Sequence, residues 1–353
     1  MNHLQSEKGT NTIWQLQREL EDFFNNTRFN LIQINSGASV RKYFRISFEE
    51  SLYFPTRDVT LMVIPIDKIE MADDYLNISY YLQRQNIPQP RIFEMQREKG
   101  WIFLEPAEGE QLDTYLQQHP DEISTIYPRL VDFLLYIQNR AVFEGHCPAF
   151  SRFFDQLKYL YEFNFHVQEQ VINHYLNHNF TQSEEQVFQE FSLEISKHLE
   201  STYPVFVHRD FQSSNIFYHK KNEEDSFQII DFQDARSGSY TYDLVSLLWD
   251  SYVDIPDKLK VELLDQFYQK NNLLRNHFSP DEYNRLIDYQ IIQRKLHDAG
   301  AFVYTYRLLN NQRFLQYITR ALDMAILIMN QYPAFMEISQ LLQRLMSLPE
   351  KSL

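Results

Sequence analysis

The feature that most constrains this chain is a change of hydrophobic period near Glu105-Pro106. Before it, segments 30–34, 41–48, 59–66, 91–95 and 101–104 are short and strand-like, separated by turn signals such as Ser36-Gly37 and Lys99-Gly100. One helical stretch, about 71–85, follows the third of them, and residues 13–24 set Ile13, Leu16, Leu20, Phe23 and Phe24 at helical spacing. Beyond the change, 112–118, 123–140, 153–176 and 183–199 carry apolar residues at helical spacing, and helices resume near Tyr242 and run to about Met346. The pattern predicts an α+β chain: a small β-rich N-terminal lobe over 1–104, a hinge at 105–110, and a large, mainly helical C-terminal lobe over 111–353.

Composition removes several function classes. Lys plus Arg number 33 against 48 Asp plus Glu, and a net charge of −15 repels phosphate backbones and anionic lipid, so neither nucleic acid nor a membrane surface is expected as a partner. Seven glycines, at 9, 37, 100, 109, 145, 238 and 300, supply neither a G-x-G-x-x-G dinucleotide loop nor a Walker A loop. Cys147 is the only cysteine, which excludes an intrachain disulfide and fits a reducing compartment. The start, MNHLQSEKGTNTIW, has no charged-then-apolar leader, and no window reaches the roughly 18 apolar residues of a spanning helix; the expectation is a cytoplasmic protein, monomeric by default.

One exception interrupts the helical half. The apolar runs 205–207 and 227–230 bracket a polar loop, giving VHRDFQSSN at 207–215 and IIDFQD at 229–234. Phosphoryl transfer needs an in-line hydroxyl, a divalent metal that neutralises phosphate charge, and a carboxylate turned toward the attacking group. Asp210, in a loop just after a strand, can accept the hydroxyl proton. Asn215 and Asp231 offer the hard oxygen ligands that suit Mg2+, and His208 is expected to support the loop by hydrogen bonding. Taken singly, an Asp or Asn in a loop is most often a turn-former or a cap. The joint spacing is what points to chemistry.

At these residues the chain resembles the aminoglycoside phosphotransferase/choline kinase group of the protein-kinase-like superfamily, marked by H-x-D-x-x-x-x-N and I-D-x-x-D. The extended match is closer to the bacterial cell-wall amino-sugar kinases, which phosphorylate the anomeric hydroxyl of N-acetylmuramate or N-acetylglucosamine. It is carried by 207–215, by IDFQDARSGSYTYDLVSLL at 230–248, by SGASVRKYFR at 36–45 and by QRKLHDAGAF at 293–302.

The resemblance implies a protein-kinase-like bilobal fold with a nucleotide-binding first lobe, ATP and Mg2+, and a small-molecule acceptor that is an amino sugar. Asp210 is then the base, Asn215 and Asp231 the metal ligands, and Asp243 the helix-start acid that holds the catalytic-loop backbone, with His208 and Arg209 in support. Gln212, Ser213, Asp234 and Arg236 would border the acceptor, and Arg236 and Arg294 beside Asp234 fit a neutral or lactyl-bearing sugar better than a cationic antibiotic. Ser36, Gly37, Ala38 and Ser39 resemble the phosphate-covering hairpin, and Leu104 and Glu105 the passage whose backbone meets the adenine edge. The third strand lacks the lysine that pairs the α/β-phosphates in protein kinases, so another cation must substitute, and Arg41, Lys42 or Arg45 on the adjacent strand could turn inward to do so. The alternatives are an aminoglycoside- or choline-type kinase, and a nucleotide-binding pseudokinase scaffold, which the missing lysine would favour. A protein kinase fits less well, because only 11 residues separate Asp231 from Asp243.

Overall fold

The computed structural model describes residues 2–34, 40–50, 52–200, 203–220, 225–309, 312 and 315–348. The chain divides into two compact units, Met1–Leu76 with Pro90–Ala107, and Asn77–Gln89 with Glu108–Leu353. The expected phosphate hairpin, Ser36, Gly37, Ala38 and Ser39, lies outside the described residues.

The first unit opens with α1 (Asn2–Phe23), which begins well before the residue 13 marked by spacing. Then come β1 (Phe29–Ile34), β2 (Lys42–Phe48), β3 (Asp58–Val63), α2 (Glu70–Arg84), β4 (Ile92–Gln96) and β5 (Trp101–Leu104). The division between units falls within α2. All five strands pair antiparallel in the order β1-β2-β3-β5-β4. The two-residue alternation turns Phe44, Ile46 and Phe48 of β2 to the face that also carries Val59, Leu61, Trp101 and Phe103, and Leu20 and Phe24 at the end of α1 complete this core. Burial of each such side chain contributes about 1.5–3 kcal/mol.

The second unit contains β6 (Glu110–Gln111), α3 (Leu112–Gln118), α4 (Ile123–Arg140), α5 (Gln156–Glu162) and α6 (Gln182–Leu199). Its short strands are β7 (Val205–Val207), β8 (Ile216–His219), β9 (Ser226–Ile229) and β10 (Arg236–Gly238). Helices α7 (Thr241–Leu248), α8 (Asp257–Lys270), α9 (Asn272–His277), α10 (Pro280–Leu309), α11 (Leu315–Met329) and α12 (Met336–Met346) complete it. Three strands here escaped the apolar pattern, β6, β8 and β10. β8 pairs with β9 and with β6, and β10 lies opposite β7. Arg-Ser-Gly in β10 is too short for a period to show, and Ile-Phe-Tyr-His in β8 gives no polar alternation.

From Phe163 to Tyr175 the chain widens into a π-helix continuing α5. Gly300 of α10 lies directly on it: a Cβ there would sit 2.2 Å from the carbonyl oxygen of His166. Backbone meets backbone at this point, so only glycine fits. Among the described residues, no helix is long and apolar enough to cross a membrane.

Gly300→Ala is expected to lower the unfolding free energy by about 2 kcal/mol or more, since the obstruction is main chain and cannot rotate away. Urea titration followed by circular dichroism measures it. Gly145→Ala, where a Cβ meets nothing within 4 Å, is the control and should stay within about 0.5 kcal/mol of the parent.

Candidate active site

The loop that leaves β7 is held from below by a single carboxylate. Asp243, in the first turn of α7, accepts the His208 N–H at 2.6 Å on one oxygen and the Arg209 N–H at 3.0 Å on the other. Arg209 has φ 81°, in the left-handed region where a side chain is strained, and these two bonds fix that turn. Asp243 is fully enclosed; burial pushes its carboxyl up to about 7, against the two backbone donors. His208 is also buried, which lowers its pKa and keeps the ring neutral. Its Nε2 lies 2.9 Å from the Ile230 carbonyl, so the ring proton sits there and ties this loop to the end of β9.

Asp210 comes next and faces outward. Its side chain is 38% exposed, whereas Arg294, whose Nη2 stands 3.9 Å behind the carboxylate, is only 2% exposed. Substrate can therefore reach the acid but not the cation. The Asp210 carbonyl accepts the Gln212 N–H at 2.9 Å and the Asn215 Nδ2 at 3.0 Å. That second bond leaves the Asn215 Oδ1 as the end free to meet a cation. Ile230 N–H donates to the Asn215 carbonyl at 3.0 Å, placing Asp231 beside Asn215. Asp231 has φ 64°, a second left-handed residue, and one of its carboxylate oxygens accepts from Gln233 Nε2 at 3.2 Å. Asn215 and Asp231 each carry a hard oxygen donor of the kind Mg2+ takes beside phosphates and water. Among the described residues no group of three or more His, Cys, Asp or Glu is placed to hold a metal.

Ser213 has another role than the acceptor contact expected of it. It is fully buried, and both its N–H, at 2.8 Å, and its hydroxyl donate to Asp250, just beyond α7. It anchors the loop. Asp250 also accepts the Tyr252 N–H at 2.9 Å, and burial raises its carboxyl pKa. Helix α7 thus has an anchoring carboxylate at each end, one on each side of Asp210. Asp234 is 48% exposed, with Arg209 Nη1 at 3.9 Å. Arg236 opens β10 with its guanidinium over the Phe154 ring at 5.7 Å.

The remaining expected residues belong to the first unit. Arg41 is buried just before β2. Leu104 ends β5 opposite Thr60 and Ile92. Glu105 donates its N–H to the Arg91 carbonyl at 2.8 Å, and its carboxylate pairs with Arg91 at 2.7 Å. Sequence reasoning missed Asp250, Lys295 and Asp298. On α10, Asp298 accepts from Arg294 at 3.0 Å and from Lys295 at 2.8 Å, Arg294 reaches the Tyr242 hydroxyl at 2.8 Å, and Lys295 also donates to the Trp249 carbonyl. The signal was available: three charges stand in a helical stretch, 289–299, whose other positions are apolar, amide or histidine. Asp250 had none.

A profile of the phosphotransferase enzyme family (APH) matches residues 30–279. The chain belongs to that family. It is a phosphotransferase that uses a hydroxyl acceptor. Two relatives carry the name N-acetylmuramate/N-acetylglucosamine kinase. The protein from Neisseria meningitidis serogroup B is 25% identical over 88% of both chains, and that from Pseudomonas putida is 24% identical over 95% of both. Among solved structures, the Plasmodium vivax ethanolamine kinase superposes with a TM-score of 0.60 at 13% identity, over 88% of this chain and 84% of its own. At that identity it establishes the kinase-like fold alone.

The sign of one pH effect follows from Asp243. Its folded carboxyl keeps a proton up to about pH 7, whereas an unfolded aspartate releases it near about pH 4. Folding therefore takes up a proton between those values, so this group's contribution is complete below about pH 4 and is lost as the pH rises toward about 7. Asp243→Asn removes that part of the slope. Urea-derived stability of the variant is expected to fall less between pH 4 and 7 than that of the parent. Above about pH 7, where the parent carboxylate accepts both N–H groups, the variant should be weaker by about 1–3 kcal/mol, because an amide has one acceptor oxygen for two N–H groups.

Proposed function

We propose that this protein transfers the γ-phosphoryl group of ATP to the anomeric hydroxyl of an N-acetylated amino sugar, N-acetylmuramate or N-acetylglucosamine, yielding the sugar 1-phosphate in cell-wall recycling. The observation that carries this reading is Asp210, an exposed carboxylate on a buried, doubly anchored loop, one hydrogen bond from Asn215 and adjacent through Ile230 to Asp231. The name carried by the two relatives supplies the acceptor class.

In this reading Asp210 accepts the hydroxyl proton as the hydroxyl oxygen bonds to the γ-phosphorus, and the bond from that phosphorus to the bridging oxygen of ADP breaks. An anomeric hydroxyl is somewhat more acidic than an ordinary alcohol, yet a positioned carboxylate still helps. Asn215 Oδ1 and the Asp231 carboxylate would hold Mg2+, which would neutralise phosphate charge. His208, Arg209 and Asp243 keep the loop in place, and Arg294 holds the Asp210 carboxylate from behind. Gln212, Asp234 and Arg236 border the acceptor. On the first unit, residues 36–39 and Arg41 contact the phosphates, and Leu104 and Glu105 the adenine. The Glu105 N–H is already engaged by Arg91, so this passage offers the base its other backbone groups.

Purified protein with Mg-ATP is expected to release ADP on N-acetylmuramate or N-acetylglucosamine and not on choline or kanamycin, and to form a phosphate ester that is acid-labile but alkali-stable. Asp210→Asn should lower kcat by about 10²–10⁴-fold, and EDTA should abolish turnover. ADP release on choline or kanamycin with silence on both sugars would overturn the acceptor assignment.

A further inference from the structure

Two arginines beside Asp210 lack the partners that buried guanidinium groups require. Arg236 faces Val207 in the β7–β10 pair, two residues before Arg209, so strand pairing itself sets these two side chains in one neighbourhood. Arg152 joins them: its carbonyl accepts the Ser237 N–H at 2.8 Å, and its Nη1 donates to the Gln233 carbonyl at 3.1 Å. Among the described residues the Arg236 side chain makes no hydrogen bond or ion pair, and its Nε is buried with no acceptor. The Arg209 Nε is buried and unpartnered too, and its one ion pair, with Asp234, is loose at 3.9 Å. Burial, together with Arg209 and Arg152 as like charges, pulls the Arg236 pKa below the usual arginine range despite Asp234 and Glu162. A fold has no reason to gather such groups unless something else supplies acceptors.

We propose that Arg209 and Arg236 form an anion subsite for the phosphoryl acceptor, and that the acceptor is a sugar bearing a carboxylate as well as the reacting hydroxyl. The proposal rests on the reading above that Asp210 meets that hydroxyl. Arg209 precedes Asp210 in the chain, so the carboxylate and the hydroxyl of one sugar-sized molecule fall to neighbouring residues. The planar guanidinium fork matches a carboxylate with two parallel hydrogen bonds. Asp234, half exposed and facing Arg209, is the group the acceptor carboxylate displaces.

The full-length protein is assayed with Mg-ATP on two matched pairs, N-acetylmuramate against N-acetylglucosamine and glucuronate against glucose. The parent is expected to favour the acidic member. Arg236→Met should lower the acid-to-neutral ratio of kcat/KM by about 10–100-fold, chiefly through KM for the acid, and Arg236→Lys should recover part of it. Asp234→Asn, at an exposed position, should raise the same ratio, an effect that misfolding cannot mimic. An unchanged ratio in folded Arg236→Met, or in Asp234→Asn should the first fail to fold, overturns the subsite. So does a rise in KM for ATP that matches the rise for the acid, which would place the arginines on phosphate. N-acetylglucosamine preferred over N-acetylmuramate by the parent overturns the subsite and leaves the amino-sugar reading standing. Turnover of glucuronate with neither amino sugar does the reverse, and silence on all four overturns both.

Discussion

Asp243 is the interaction on which the rest of the site depends. A left-handed Arg209 is unfavourable for a residue with a side chain, and two adjacent main-chain N–H groups pointing the same way need one acceptor with two oxygens. A carboxyl group buried at a helix start provides it, and the two N–H bonds work against the burial that raises its pKa. All eight residues of α7 are buried, so the acid cannot swing away to solvent. The Ser213–Asp250 contact repeats the device at the other end of the same helix. Between these points the loop has little freedom left, and Asp210 is presented outward by default.

The cost of this arrangement appears in α10. Arg294, Lys295 and Asp298 are all buried, a charge cluster that well-packed apolar residues would match or exceed in stability. What the cluster secures is position. Arg294 touches Tyr242 next to Asp243, Lys295 caps the Trp249 carbonyl next to Asp250, and Asp298 binds both cations. The one charge not consumed internally is the flank of Arg294 that looks at Asp210 from 3.9 Å. A fixed cation at that range holds the carboxylate in place while leaving its outer oxygen open.

Much of this was legible in the residues. The period change at Glu105 separates a β-rich from a helical half, and the amphipathic spacing of Leu20, Phe23 and Phe24 marks the helix that closes the first core, because side-chain burial follows spacing. The loop residues 208–215 and Asp231 were singled out for their chemistry, and the structure brings them together through His208, Ile230 and Asn215. What stayed hidden had no periodic signature. β10 is three residues long, and Asp250 is one acid in an irregular stretch. Ser213 read as a residue bordering the acceptor because nothing local shows that a carboxylate 37 positions later takes both its donors.

The third-strand lysine that kinases use is absent, and the sheet register shows why its loss need not leave the strand face without cationic side chains. β2 and β3 pair so that Arg45 lies beside Thr60 and Tyr43 beside Met62, while Phe44, Ile46, Val59 and Leu61 take the opposite face against α1. Arg45, two residues on from Tyr43 in β2, shares the face that α1 does not cover. Directly opposed residues in an antiparallel pair have Cβ atoms about 5 Å apart, less than the length of an arginine side chain. A cation rooted on β2 therefore spans the same ground as one rooted on β3, and the apolar face that holds the lobe together is untouched by the exchange.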